Sequence, residues 1–358
     1  MKAALSTEHL TVSYDTPQGL VAALRGVSFT LFQDEILGLV GESGSGKSTL
    51  ALAISRLLDP RRTQVSGKVL IGSRSLYDLS SSNLRHLWWE DIAMVFQSSM
   101  NALNPVLSVK DHFADTFLAH RPTMTRTEIR KKTISLLQQV QLSPQVIHSY
   151  PHELSGGMKQ RVVIALALAL DPKVLIMDEP TTALDVVVQH SILAEVAAIQ
   201  KERHLAVLFI SHDFSMVSGL AHRIAVMYAG ELVEITKSAL ATGHSTPHHP
   251  YTQGLIQATP QILGGRVRIQ GIPGEPPDMS KLNPGCAFWE RCSQRLDKCQ
   301  TLPVPPQNTH TFIRCHLMDS SSSDFSSQSQ ESQGSSESNG SRGSRGSRGS
   351  KEEIAHGR

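Results

Sequence analysis

The run Gly41-Glu42-Ser43-Gly44-Ser45-Gly46-Lys47-Ser48 constrains this chain more than any other. It has the form G-x-x-x-x-G-K-S and follows the short, nearly all-apolar run Ile36–Val40. A buried strand that empties into a glycine-rich loop and then a helix from about Ser48 is the local fold it specifies. Each residue type has a task in such a loop. The glycines let backbone N–H groups curl around a phosphate chain, Lys47 neutralises charge on the outer phosphates, and the Ser48 hydroxyl, followed by Thr49, can coordinate Mg²⁺. The helix start adds its positive dipole end. A chance glycine turn would not need the strand before it or the helix after it.

Val174-Leu-Ile-Met-Asp178-Glu179-Pro180 supplies a second half. Four apolar residues predict a buried strand with two carboxylates at its C-terminal end, where ligands of open α/β sheets sit. Asp178 can hold the Mg²⁺ shell, and Glu179 can activate an attacking water as general base. The alternative is a helix cap after a strand. Ile92–Phe96 and Leu205–Ile210 are two more runs with the texture of strands buried on both faces of a parallel sheet. Between Phe96 and Val174 strand signals are weak. Ile129, Thr133, Leu136, Leu137 and Val140 recur at helical spacing within Thr127–Val140, so a helical insertion is expected there.

Charge and composition remove several classes. Lys plus Arg is 34 and Asp plus Glu is 32, a net charge of +2 that excludes a polybasic nucleic-acid binder. The longest unbroken apolar run, Val162–Leu170, has nine residues, against the ~20 a membrane-spanning helix needs. Met1 to Tyr14 holds no apolar stretch of signal-peptide length, so a cytoplasmic chain is expected. Beyond residue 240 the texture changes. Residues 241–318 are rich in Pro, His and Cys, which favours a loop-built appendage without long helices. From 319 to 358 the chain is Ser-rich: fifteen of the 32 residues from Asp319 to Ser350 are Ser, too polar to offset backbone entropy, so a disordered tail is expected.

The motif Leu154-Ser155-Gly156-Gly157-Met158-Lys159-Gln160-Arg161 precedes the acidic strand and opens an apolar helix. Its order and spacing resemble the signature motif of ABC-type ATPases. Tyr14 resembles the aromatic residue that stacks on adenine, Gln97 the Q-loop glutamine that also reaches Mg²⁺, Ala183-Leu184-Asp185 the D-loop, and His212 the switch histidine. Met158 stands where that motif usually has glutamine, a variant that looks like the peptide-uptake branch. His249-Pro250-Tyr251-Thr252, Ile272-Pro273-Gly274-Glu275-Pro276-Pro277 and the stretch from Asn283 to Leu317 resemble the C-terminal extension of dipeptide, oligopeptide and nickel importer ATPase subunits.

The resemblance implies an α/β fold: a P-loop NTPase ABC cassette over residues 1–240, with a helical subdomain at about 98–160, then the Cys/Pro-rich extension and the disordered tail. It implies ATP and Mg²⁺ as cofactors and hydrolysis by Glu179, His212 and Gln97. In that family two cassettes pair head-to-tail, so Ser155, Gly156 and Gly157 would serve the partner subunit's ATP. The implied partners are two transmembrane permease subunits, a second ABC ATPase subunit expected as a heterodimer, and indirectly an extracytoplasmic solute-binding protein, at the cytoplasmic face of the inner membrane. Three other readings compete. An exporter's subunit is disfavoured by the extension. A two-cassette translation or repair ATPase is disfavoured by the single cassette, and a degraded regulator by the presence of Lys47, Asp178, Glu179 and His212. Cys286, Cys292, Cys299 and Cys315 are separated by five, six and fifteen residues, without C-x₂-C knuckles. Four thiolates suit Zn²⁺ or a [4Fe–4S] cluster, and reduced thiols could instead fill a small core beside Phe288, Trp289 and Phe312. The resemblance implies the iron–sulfur cluster.

Overall fold

The computed structural model describes residues 2–17, 19–97, 102–182, 184–241, 247–259, 271–282, 284–304 and 310–318. The Ser-rich tail lies outside them, as do Ala183 of the D-loop-like triplet and Asn283 of the extension motif.

β1 (Ala3–Thr16) and β2 (Gly19–Phe32) form a long antiparallel pair, and β3 (Ile36–Val40) leads into α1 (Lys47–Ile54). β4 (Thr63–Ile71) and β5 (Arg74–Ser75) return to the first pair, giving a four-stranded antiparallel sheet in the order β2-β1-β4-β5. After α2 (Ser81–Leu87) and β6 (Ile92–Val95) come three helices, α3 (Val109–His120), α4 (Arg126–Gln139) and α5 (Gly156–Ala167). Then β7 (Val174–Asp178), α6 (Val186–Arg203), β8 (Ala206–Ser211), α7 (Phe214–Leu220), β9 (Arg223–Tyr228) and β10 (Glu231–Lys237) follow. The extension contributes α8 (Ser238–Ala241), α9 (Pro250–Ala258), α10 (Lys298–Thr301) and β11 (Phe312–Ile313).

The second sheet has seven strands in the order β11-β10-β9-β3-β8-β7-β6. Five of them, β9 to β6 in that order, run parallel, and β10 and β11 add antiparallel strands at one edge. All five residues of β3 and of β7 are buried, as strands covered on both faces require. Alternation divides them between two cores. Leu175 and Met177 belong to the core that also holds Phe113, Phe117 and Leu137 of the helical layer, whereas Val174 and Ile176 belong to the core that holds Leu5, Phe29 and Leu50.

The expected helix appears as α4, starting and ending one residue earlier than the expected Thr127–Val140. Thr125 and Glu128 close a capping box that starts it at Arg126. Its buried face is Ile129, Thr133, Leu136 and Leu137, and the Thr133 hydroxyl is satisfied by the Ile129 carbonyl at 2.8 Å. In the extension, Pro250 occupies the first turn of α9, where its missing N–H leaves no intrahelical bond unmade. Residues 1–318 form one compact unit. The extension is tied into it by β11, which pairs Ile313 with Glu234 and Phe312 with Ile235.

Candidate nucleotide site

Parallel strands point their C-terminal ends the same way, so the loops after β3, β8, β7 and β6 open side by side along one edge of the sheet. Those four loops carry Gly41–Ser48, His212, Asp178 with Glu179, and Gln97.

The first loop is shaped by its glycines. A Cβ at Gly41 would sit 2.2 Å from the Met227 carbonyl oxygen, and Gly46 caps α1 with φ +104°. Lys47 is buried and donates to the carbonyls of Gly41 and Glu42, each at 2.8 Å. Burial pushes its pKa below the ordinary lysine value, against the pull of Glu179, Asp178 and Glu42. An ammonium held on loop carbonyls in this way is poised to be drawn onto a stronger anion.

Asp178 ends β7 and is 4% exposed. Burial raises its pKa, opposed by a hydrogen bond from Ser48 and by the charge of Lys47. Its Oδ1 is buried with no hydrogen-bond partner among the described residues. An orphaned carboxylate oxygen beside a serine hydroxyl is a donor set suited to a hard divalent cation such as Mg²⁺.

Glu179 gathers its neighbours. Gln97 Nε2 donates to its Oε2 at 2.9 Å, the Thr182 hydroxyl to the same oxygen at 3.2 Å, and His212 Nδ1 lies 3.2 Å from its Oε1. Its backbone is in the left-handed region at φ +46°, secured by its N–H on the Ile210 carbonyl at 3.0 Å. Such a conformation in a non-glycine residue costs about 1–3 kcal/mol and is concentrated at working sites. Gln97, Glu179 and His212, from three separate loops, are thus joined through one carboxylate.

Tyr14 sits on β1 with its hydroxyl 3.3 Å from Thr49 Oγ1, which places its ring beside the start of α1. The Ser155–Gly157 turn stands elsewhere. Ser155 caps α5, accepting from the Met158 N–H at 3.3 Å, and a Cβ on Gly157 would meet Val188 of α6 at 2.7 Å. Arg161 fixes α5 to α6 through a two-pronged bond to Glu195 at 2.9 and 2.6 Å. Among the described residues, no hydrogen bond joins Ser155, Gly156 or Gly157 to residues 41–49. The structure therefore assembles one set of expected residues and leaves the other set apart.

Two contacts to the first loop went unread in the sequence: Tyr251 and Arg291 of the extension both bind Glu42. Thr182, on Glu179, is a third omission, although it follows Glu179 by only three residues.

The four cysteines are free thiols, with Cys299 and Cys315 buried. Burial pushes Cys286 up to about 12, and each of the other three adds to the shift through its charge. The donor set matches four-thiolate ligation in kind. Among the described residues, no three His, Cys, Asp or Glu side chains come together as a group that could hold a metal ion.

A family model described as "ABC transporter" matches residues 24–182, and one described as "Oligopeptide/dipeptide transporter, C-terminal region" matches 234–299. The chain is 40% identical over 327 residues to the dipeptide transport ATP-binding protein DppD of Bacillus subtilis, covering 89% of this chain and 96% of that one. It is 37% identical over 316 residues to the oligopeptide transport ATP-binding protein OppD of Haemophilus influenzae, covering 88% and 97%. Among solved structures, the dimeric bacterial ABC transporter cassette MJ0796 matches with a TM-score of 0.59 at 29% identity, over 65% of this chain and 98% of that one. The same cassette in a post-hydrolysis dimer with ADP and Pi matches at 0.58 and 29%, over the same shares.

Proposed function

Starting from the family to which the chain belongs, the ABC transporter ATP-binding subunits of the dipeptide/oligopeptide branch, we propose how its residues divide the work of hydrolysing ATP to energise peptide import. The observation that carries the reading is the junction at Glu179: one carboxylate holds Gln97, Thr182 and His212, next to a buried Asp178 with a vacant oxygen and to the Lys47 loop.

In this reading the Gly41–Ser48 amides and Lys47 receive the phosphates, and Lys47 exchanges two carbonyls for phosphate oxygens. Tyr14 packs against the base, with Thr49 beneath it. Ser48, Asp178 and Gln97 would hold Mg²⁺, which neutralises charge developing on the phosphates when it is bound. Glu179 takes a proton from the attacking water, and His212 and Gln97 orient that carboxylate. Ser155, Gly156 and Gly157 present a helix N-terminus to the nucleotide of a second ATPase subunit, a heterodimeric partner. Two permease subunits in the inner membrane would receive the motion at the cytoplasmic face, and a solute-binding protein would deliver the peptide. Among the described residues no helix is long and apolar enough to cross a membrane.

The extension favours import over export, since its match is to a peptide-transporter C-terminal region. Uptake of a labelled dipeptide and a labelled oligopeptide by a strain deleted for this chain tests the reading. Wild-type protein should restore uptake and Lys47→Ala should not; uptake unchanged by the deletion would refute it. For the [4Fe–4S] cluster, four thiols in one part of the chain are the only support the protein itself lends, and no step above depends on it. Iron and sulfide analysis of anaerobically prepared protein decides it. About four of each per chain would carry the cluster, and a colourless chain, equally stable as Cys286→Ser, would remove it.

A further inference from the structure

Glu42, the second residue of the phosphate loop, is held at every polar group it has. Its N–H donates to the Tyr251 hydroxyl at 2.9 Å, across 209 residues of sequence. Its carbonyl accepts from Lys47 at 2.8 Å. Its carboxylate takes both prongs of the Arg291 guanidinium, at 2.7 and 2.9 Å, across 249 residues. Two of these three restraints come from the C-terminal extension.

The restraining groups are themselves fixed. Tyr251 is fully buried, and its ring packs on Tyr228 at 4.6 Å and on Phe288 at 5.4 Å between centroids. Arg291 is 8% exposed, lies over the rings of Tyr228 and Phe288, and donates its Nε to the Pro273 carbonyl at 2.8 Å. A fork of this geometry sets direction as well as distance. The loop's shape is therefore not dictated by its own glycines alone.

We propose that Arg291 and Tyr251 are positioning residues for nucleotide binding. Through Glu42 they hold the phosphate loop in its receptive shape, so the C-terminal extension sets the affinity of the cassette for ATP. The inference rests on reading residues 41–48 as the phosphate cradle.

The test is equilibrium titration of the full chain with MgATP, beside melting temperatures and steady-state ATPase in the assembled transporter. Tyr251→Phe keeps the ring and removes only the acceptor for the Glu42 N–H. Arg291→Gln removes the fork. Each should weaken MgATP binding about five- to twentyfold, the size expected for one lost bond to a buried or charged partner. The KM for ATP should rise accordingly, with kcat at saturating ATP changed less than about twofold, since the lost interaction serves ground and transition states alike. Because Arg291 acts through the Glu42 carboxylate, Glu42→Gln/Arg291→Gln should bind no more weakly than the worse of Glu42→Gln and Arg291→Gln alone. Unchanged affinity in Tyr251→Phe and Arg291→Gln, with or without a lower melting temperature, would leave these residues a structural role only. Effects that add in the double variant would remove Glu42 as the link. If Arg291→Gln does not fold, Tyr251→Phe decides alone. A wild-type chain that bound no MgATP would instead refute the phosphate-loop reading itself.

Discussion

Glu179 shows how one residue is made ready by three loops. Gln97 and Thr182 share one carboxylate oxygen and His212 faces the other, so the carboxylate is oriented before substrate arrives. Replacing Glu179 by Gln keeps the shape and removes the base. ATP binding should persist while hydrolysis in the assembled transporter falls about 10²–10⁴-fold, the usual share of a general base. Single-turnover hydrolysis checks it, and full activity would take Glu179 out of the mechanism. Lys47→Ala should do the reverse, losing MgATP affinity in the full chain by titration, because a charge-assisted phosphate contact is gone. These residues were legible in the sequence for a physical reason. Each follows an apolar run, and a parallel sheet delivers every such run's end to one edge. Arg291 and Tyr251 carry no comparable local mark. Their contacts span 249 and 209 residues and depend on how the extension folds back.

At the scale of elements, legibility follows burial pattern. β3 and β7 stand out because every residue is buried and all but the terminal Asp178 of β7 are apolar or glycine. β1 and β2 do not, since their shared register shifts repeatedly, between Thr7 and Leu10 and again between Leu10 and Val12, which breaks the period-two alternation a reader relies on. α9 shows an element whose cap titrates. His249 Nδ1 accepts the Tyr251 N–H at 3.1 Å, so the imidazole must be neutral there, and burial holds its pKa down to about 3 from 6.5. The depressed value means the unfolded chain takes up the proton first. The stability is thus fully present above pH 6.5 and drains away as pH falls toward about 3, by up to ~1.4 kcal/mol per pH unit. Neighbouring His248 works with the opposite sign. The hydrogen bond to Glu234 raises its pKa, so its contribution is present in acid and is lost as pH rises through that raised pKa. His249→Asn supplies a cap acceptor that does not titrate. Its melting temperature should fall less than the wild type's between pH 7 and 5, leaving the His248 trend visible. An identical pH profile in both proteins would show that His249 titrates alike in the folded and the unfolded chain.

On the head-to-tail reading proposed above, the whole molecule is a cassette with half of each site. Lys47, Asp178, Glu179, Gln97 and His212 meet at one edge of the sheet, whereas Ser155 and its glycines begin a helix bonded to α6 and, among the described residues, not hydrogen-bonded to the phosphate loop. Residues 319–358 are Ser-rich and hold few large apolar side chains, Phe325 and Ile354. Their removal should leave melting temperature and ATPase unchanged, and a drop in either would reveal a docking role. Ser155→Arg tests the division itself. It replaces a capping acceptor with a cation at a helix N-terminus, at a cost of about 1 kcal/mol to α5. The melting temperature should fall a little. MgATP binding by the isolated chain should not change, because nothing in its own phosphate loop has been touched. In the assembled transporter, the arginine would face the partner subunit's nucleotide, and hydrolysis there should be lost. With a heterodimeric partner, the site built on this chain's own Lys47 loop should keep its intact signature from the other subunit, so vanadate or azido-nucleotide labelling should disappear from one subunit and persist on the other. Loss of ATP binding by the isolated Ser155→Arg chain would mean that a single chain closes its own site, and the head-to-tail arrangement would fall.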